Sequence, residues 1–346
     1  MDFESLKKLL FLLPTEASHH VSMRSVSLLS QLGLSSLLAR DVPRRPVTAM
    51  GIEFPNAVGL AAGLDKDARY IDGLADLGFG FIEVGTVTPR PQPGNPKPRL
   101  FRLPAEDAII NRMGFNNDGL DDMIRRIRRT RFDGVLGINI GKNFDTPVEN
   151  ALDDYVTCLR RVYRHASYIV VNISSPNTPG LRTLQQGDEL PKLLDGLKEA
   201  HADQAVKHEK HVPLVIKIAP DMTDEELTAV ADELLAHEID GVIVGNTTVA
   251  RPGLDGSRWE KEAGGLSGAP LKPIADGALK VVADHVGTRM TVVGVGGILE
   301  GRDAADKIAL GASLVQLYTG FIYRGPDLIR ECVDAIEALR DQRSAA

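Results

Sequence analysis

Cysteine is nearly absent: the chain has 2 in 346 residues, Cys158 and Cys332, far apart and in no paired spacing. This excludes a disulfide framework and a cysteine-bound zinc or iron–sulfur site, and leaves two thiols expected to be packed in a reducing compartment. A basic excess is missing too, because Lys+Arg 40 against Asp+Glu 47 gives a net charge of −7. No global positive field favours nucleic acid. Nor is there a run of the ~20 apolar residues that a membrane-spanning helix requires. The stretch from Leu9 to Leu13 is short, and the acidic start MDFES lacks the basic region of a signal peptide. No metal site is expected: His201, His208 and His211, in HADQAVKHEKH, are expected to lie in a solvated helix end and loop.

What is present suits an enzyme-sized protein. With 43% hydrophobic residues the chain can bury a large core, and its length fits one ~250-residue barrel plus an extension, or two smaller domains. From Ser5 to Leu38 apolar residues recur at mixed three- and four-residue steps, broken near Pro14, which predicts two short amphipathic helices. These either pack on the main domain or present an apolar face to a lipid surface. After a linker at Val42-Pro-Arg-Arg-Pro, strand-like and helix-like segments alternate. Strands are predicted at Ala57–Ala61, Phe81–Thr86, Val135–Ile140, Ile169–Ile173, Leu214–Ile218, Gly241–Val244, Thr291–Val295 and Leu314–Leu317. About eight such units imply a closed α/β (β/α)8 TIM barrel, with a doubly wound sheet as the alternative. The connections Thr88–Asn111 and Thr248–Leu271 are too long for simple barrel loops and are expected to act as lids or binding walls.

The strand ends carry polar groups, as the catalytic face of a barrel requires. GLAAGLDKD places small residues and Lys66 after the first strand; Gly85-Thr86, Asn139 and Asn172 end the next three. The segment VNISSPNTPGLR then delivers Ser175 to a loop, although Asn-Thr-Pro-Gly is also compatible with a plain turn. In PLVIKIAP, Lys217 sits inside an apolar strand, where an ammonium needs an anionic partner. GVGGI, with Gly296 and Gly297 ahead of a helix starting near Arg302, breaks the G-x-G-x-x-G pattern at Leu299. It therefore reads as a mononucleotide phosphate cradle. Together with the lysine and the ring of Thr and Asn, this suggests flavin mononucleotide (FMN).

The ordered series GLAAGLDKD, INRMGFNN, GINIGKN, VNISSPNTPGLR, VIKIAP, GNTT, GGLSG and GVGGI resembles the dihydroorotate dehydrogenase family, from about Val47 to Thr319. A serine at position 175 and the N-terminal helices resemble its quinone-dependent, membrane-associated class 2. The resemblance implies that (S)-dihydroorotate is oxidised to orotate in pyrimidine (UMP) biosynthesis, with Ser175 as catalytic base, hydride passing to one FMN per chain, and quinone as final acceptor. Phe115 and Thr178 are implied helpers of the base. Lys66 would pair with the substrate carboxylate, and Asn111, Arg112, Met113, Gly114, Phe115, Asn172, Asn177, Asn246 and Thr247 would contact the substrate. The implied FMN site comprises Ala61, Ala62, Gly63, Leu64, Asp65, Thr86, Asn139, Asn172, Lys217, Gly245, Gly268, Gly297, Tyr318 and Thr319. His19 and Arg102 are the quinone-site candidates.

Residues 1–40 would then form a membrane and quinone-access extension whose inner face is apolar, and 41–346 the FMN-binding barrel. The protein would sit peripherally on the cytoplasmic side of the cell membrane, without an iron–sulfur partner subunit. Three rivals predict different residues. A soluble class of the family carries cysteine at the position of Ser175, and an FMN barrel acting on 2-hydroxy acids needs a histidine at a strand end, where none stands. A non-catalytic sensor of phosphate ligands would need neither Ser175 nor Lys66.

Overall fold

Eight parallel strands close into a barrel in the computed structural model, which describes residues 3–35, 38 and 41–344. Two helices come first, α1 (Phe3–Phe11) and α2 (Thr15–Gln31), parted at Pro14 as the spacing predicts. The hairpin β1 (Val47–Ala49) and β2 (Ile52–Phe54) turns at Met50 and Gly51, both with positive φ, the conformation a tight hairpin turn requires. The Met50 sulfur faces Gly241, so the hairpin closes the N-terminal end of the barrel.

The barrel strands are β3 (Val58–Leu60), β4 (Phe81–Val87), β7 (Val135–Ile140), β8 (Tyr168–Asn172), β9 (Leu214–Ile218), β10 (Gly241–Val244), β12 (Thr291–Val295) and β13 (Leu314–Leu317). Chain order is also spatial order, and β13 pairs with β3 to complete the ring. Strands buried on both faces must be apolar nearly throughout, which is why sequences such as YIVVN, GVIV and TVVGV form them. Each Val, Ile or Leu side chain so buried contributes about 1.5–3 kcal/mol.

The outer ring comprises α3 (Ile71–Ala75), α4 (Leu120–Ile127), α5 (Ala151–Val162), α6 (Glu189–His208), α7 (Asp224–Ala236), α8 (Lys272–Val286), α9 (Gly301–Ala309), α10 (Thr319–Arg324) and α11 (Asp327–Ser344). α4 shows the underlying pattern: Leu120, Met123, Ile124 and Ile127 are buried along one stripe, while Arg125 faces solvent. Thr223 starts α7 with a reciprocal capping box, accepting from Glu226 N at 3.2 Å while the Glu226 carboxylate accepts from Thr223 N at 2.9 Å.

Two expectations require correction. The connections Thr88–Asn111 and Thr248–Leu271 are not merely loops: β5 (Leu100–Leu103), β6 (Ala108–Asn111) and β11 (Gly265–Gly268) form an antiparallel sheet across them. This sheet has its own core of Leu103, Ala108, Ile110, Leu254 and Leu266, with Phe101 and Trp259 packed against it. His201 is not solvated but buried in α6, its Nε2 2.7 Å from the Val212 carbonyl and its ring 5.4 Å from Tyr163. Only His208 and His211 are at the helix end and loop, where His211 pairs with Asp240 at 2.8 Å.

The N-terminal helices lie on the barrel. Met23 joins the main core, Glu16 pairs with Arg99 at 3.0 Å, and the α2 backbone at Ser27 comes so near Gly73 that a Cβ there would lie 3.1 Å from it. The division expected at residue 40 falls outside the described residues. Cys158 and Cys332 are buried free thiols. No helix among the described residues is long and apolar enough to cross a membrane.

Candidate active site

The loops at the C-terminal ends of the strands surround a cavity of about 980 Å3, counting its open mouth. Its walls join Ala61, Ala62, Gly63 and Lys66 after β3, Thr86 on β4, Asn111 to Phe115 excluding Arg112, Asn172 at the end of β8, and Ser175 and Asn177 after it. Lys217, Asn246, Thr247, Gly268, Gly297, Tyr318 and Thr319 complete the set brought together from the expected residues.

Ser175 is 6% exposed, and its Oγ accepts the Asn177 backbone N–H at 3.2 Å. Asn177 in turn donates to the Asn111 carbonyl at 3.2 Å, which ties the loop after β8 to the small sheet. Asn246 donates to Ser174 Oγ at 2.8 Å, Ser174 to Asn172 Oδ1 at 2.9 Å, and Asn172 to Thr86 Oγ1 at 3.0 Å. Thr86 then donates to Asn139 Oδ1 at 2.5 Å. Asn139 therefore stands beneath the wall, not on it.

Two lysines meet the cavity. Burial pulls the Lys66 ammonium down to about 8, against the favourable field of Asp67, and its Nζ donates to the Gly63 carbonyl at 2.7 Å. Lys217 is buried and its pKa is lowered by desolvation, opposed by the charge of Glu83. Glu83 is the acidic group that opposes the shift, although no hydrogen bond or ion pair joins it to Lys217 among the described residues, and the sequence reading missed it. Its signal was available, since Glu83 interrupts the apolar strand FIEVGTV just as Lys217 interrupts LVIKI.

At the far end, glycine is required by space. A Cβ on Gly268, at φ +100°, would lie 2.1 Å from the Asp107 carbonyl, and one on Gly297, at φ +74°, 2.4 Å from Lys272 Cβ. Both positions therefore need glycine to pack against the protein, and both line the cavity, Gly297 just ahead of α9. Thr319 donates to Ser267 Oγ at 2.8 Å beside it, and Ser267 and Gln316 are further lining residues that the sequence reading did not single out.

Other expected residues lie elsewhere. Arg112 turns outward, over the Phe101 ring at 4.7 Å and onto Glu262. Asp65, raised to about 6 by burial, accepts the backbone N–H groups of Arg69 and Tyr70 and shapes a turn. Leu64 lines a second cavity with it, while Gly245 supports β10 with a Cβ position 2.6 Å from the Val295 carbonyl. Thr178 is buried outside the wall, its hydroxyl without a hydrogen-bond partner.

The second cavity lies between α2 and the loop after β3. Glu16, His19, His20, Arg24, Asp67 and Arg69 line it together with Leu64, Leu100 and Met113, so the α2 side of this cavity is polar where an apolar face was expected. It shares Gly63, Lys66, Met113 and Tyr318 with the first. Burial and the Lys66 charge push His19 down to about 3, which keeps its imidazole neutral. Arg102 is not on this wall; it holds the Phe11 and Leu13 carbonyls and lies 4.4 Å over the Phe11 ring. Among the described residues, no group of three or more His, Cys, Asp or Glu is placed to hold a metal ion.

Residues 46–339 match the family described as dihydroorotate dehydrogenase. The chain belongs to that family. It is 58% identical over 334 residues to the Ectopseudomonas mendocina protein named dihydroorotate dehydrogenase (quinone), covering 96% of this chain and 98% of that one. Its identity to the Stutzerimonas stutzeri protein of the same name is 59% over 336 residues, with 97% and 98% covered. The solved structure of Eimeria tenella DHODH in complex with ferulenol superimposes with a TM-score of 0.86 at 41% identity, covering 95% of this chain and 92% of that one. Membership in the dihydroorotate dehydrogenase family accords with the barrel and with the cavity at its C-terminal end.

Proposed function

We propose that this protein is a dihydroorotate dehydrogenase that oxidises (S)-dihydroorotate to orotate in UMP synthesis, with FMN as its bound cofactor and a membrane quinone as acceptor. The observation that carries the reading is the meeting, in one cavity, of a shielded serine, two lysines and the glycine turns at Gly268 and Gly297. One buried group on the cavity wall suits a bound cofactor: Gln316 Oε1 has no protein partner and is free to accept a hydrogen bond. Gly268, Gly297, Tyr318 and Thr319 would hold the phosphate, while Ala61 to Gly63, Thr86, Asn172 and Lys217 would hold the ring. Bound there, the cofactor supplies a two-electron acceptor.

The chain's own residues do the remaining work. Ser175 Oγ takes the proton from the substrate carbon beside a carbonyl. Serine is a weak base, so as its oxygen takes this proton its own hydroxyl proton must pass on to water, while the Asn177 N–H holds the oxygen in place. Lys66 spends one donor on Gly63 and has two left for the substrate carboxylate. Asn111, Asn177, Asn246 and Thr247 supply the amide and hydroxyl groups that fit a pyrimidine ring. With no hydrogen bond or ion pair to protein among the described residues, the Lys217 ammonium is available to the edge of the cofactor.

The second cavity, sharing a wall with the first, provides a separate approach for the quinone, with His19 on its wall. Leu9 on α1, Leu28 on α2, and Leu12 and Leu32 just past their ends are 57%, 56%, 81% and 61% exposed. Such an apolar surface suits peripheral seating on a lipid membrane, at its cytoplasmic side. The test is the visible spectrum of purified protein titrated anaerobically with dihydroorotate. Flavin absorbance should bleach with substrate and return with quinone; folded protein lacking flavin would overturn the reading.

A further inference from the structure

Under the cavity floor lies a carboxylate that the steps above leave unused. Glu83 is fully buried and accepts from Asn139 Nδ2 at 2.8 Å, Gln316 Nε2 at 2.6 Å and Tyr168 OH at 3.3 Å. The surroundings are shaped for it. Gly137, opposite Glu83 in the sheet, leaves the space the Tyr168 ring occupies: a Cβ there would lie 2.2 Å from the ring and 2.5 Å from its hydroxyl.

The hydrogen bonds from the substrate wall all run one way. Asn246 donates to Ser174, Ser174 to Asn172, Asn172 to Thr86, Thr86 to Asn139, and Asn139 to Glu83. An ionised carboxylate can only accept, so it obliges Asn139 to point its NH2 downward and its carbonyl at Thr86, and each later member follows. Lys217 stands in register beside Asn172, which donates to Asn139 Oδ1 at 3.3 Å, and Asn139 donates to Glu83; the carboxylate opposes the lowering of the Lys217 pKa by burial. Of the other polar side chains around this carboxylate, Gln316 and Asn139 carry no charge, and burial holds the Tyr168 phenol protonated.

We propose that Glu83 is a positioning residue with two linked roles: it is the acceptor-only end that orients the chain from Asn139 to Asn246, and the counter-charge that keeps Lys217 an ammonium beside the cofactor.

The inference rests on the FMN reading and is tested on flavin-loaded protein by the pH dependence of the midpoint potential. If Lys217 stays charged in both redox states, two electrons enter with one proton, and the potential falls by about 30 mV per pH unit. In E83Q, Lys217 should lose its proton in the oxidised protein and regain it on reduction, so two electrons enter with two protons and the slope approaches about 60 mV per pH unit. E83D, which keeps the charge but shortens the side chain, should hold the wild-type slope. An unchanged slope in E83Q, or a slope in E83D equal to that of E83Q, overturns the proposal. Should E83Q not fold, the double variant E83Q/K217M removes both charges and should restore folded protein with a higher melting temperature than E83Q. A double variant that melts no higher overturns the coupling. Wild-type protein without flavin would instead sink the cofactor reading.

Discussion

Arg182 and Asp221 form an ion pair at 2.7 Å that ties three catalytic loops together. The guanidinium also donates to the Ser174 carbonyl at 3.0 Å and to the Thr247 carbonyl at 3.0 Å, while Asp221 accepts the Thr248 hydroxyl and the Val249 N–H. Ser175 thus stands next to a clamped carbonyl. A lysine has the charge but not the planar fork. In R182K, flavin reduction by dihydroorotate should slow about 10-fold, or about 1.4 kcal/mol of barrier, with flavin content unchanged. Stopped-flow rates equal to wild type would show that the clamp does not position Ser175.

Ser175→Ala removes the hydroxyl and leaves a small side chain at a buried loop position. Flavin should stay bound, and orotate affinity should change little because Lys66 and the amides remain. The rate of flavin reduction should fall by at least ~100-fold, the scale for a positioned acid–base group. A near-normal rapid-mixing rate would remove Ser175 from the mechanism.

Lys66 gives the site a pH dependence of known sign. Its ammonium, brought down to about 8 by burial, must be protonated to pair with a carboxylate. Orotate affinity should be constant below about pH 8 and weaken towards ~10-fold per pH unit above it, since each unit then costs about 1.4 kcal/mol. Lys66→Ala should bind orotate weakly and without this break. A flat affinity from pH 7 to 10 in the unaltered protein would contradict the assignment.

The barrel was legible in the sequence because a strand buried on both faces must be an apolar run. The bounds expected for β7, β9, β10, β12 and β13 agree with those in the structure. The sheet of β5, β6 and β11 was not legible: its strands have four residues each, and β11 finds β6 across more than 150 positions. Such pairing leaves no local period to read. Site residues were legible where their chemistry is odd for their surroundings, as with Lys217. Glu83 is odd in the same way, yet the neighbouring Gly85-Thr86 strand end drew the reading instead. Arg112 shows another limit: a motif names the residue, but the Glu262 carboxylate across the loop decides where its side chain goes.

Behind the glycine turn, Lys307 is fully buried and its ammonium meets Asp276 at 2.6 Å, while Lys272 joins the same carboxylate at 2.6 Å. Removing Asp276 leaves Lys307 charged in the interior. Asp276→Ala should cost about 3–5 kcal/mol, the scale for breaking a buried pair from one side. Denaturant melts of the two proteins check this, and a loss under about 1 kcal/mol would mean that Asp303 or water replaces the partner.

The exposed leucines allow the extension to be tested without deleting it. Deletion would also remove Met23 from the core and Glu16 from Arg99, so a loss of activity would not identify its cause. Leu12, Leu28 and Leu32 can each become Glu at little cost in stability, because they already face water. If these side chains seat the protein on lipid, the triple variant should lose binding to vesicles, since each buried leucine is worth about 1.5–3 kcal/mol. Flavin reduction by dihydroorotate should continue at the wild-type rate. Reoxidation by a long-tailed quinone in vesicles should drop sharply, while a small water-soluble oxidant should work as before. Equal losses with both oxidants would make the helices a structural brace alone, and unchanged vesicle binding would place the lipid-facing surface elsewhere on the molecule.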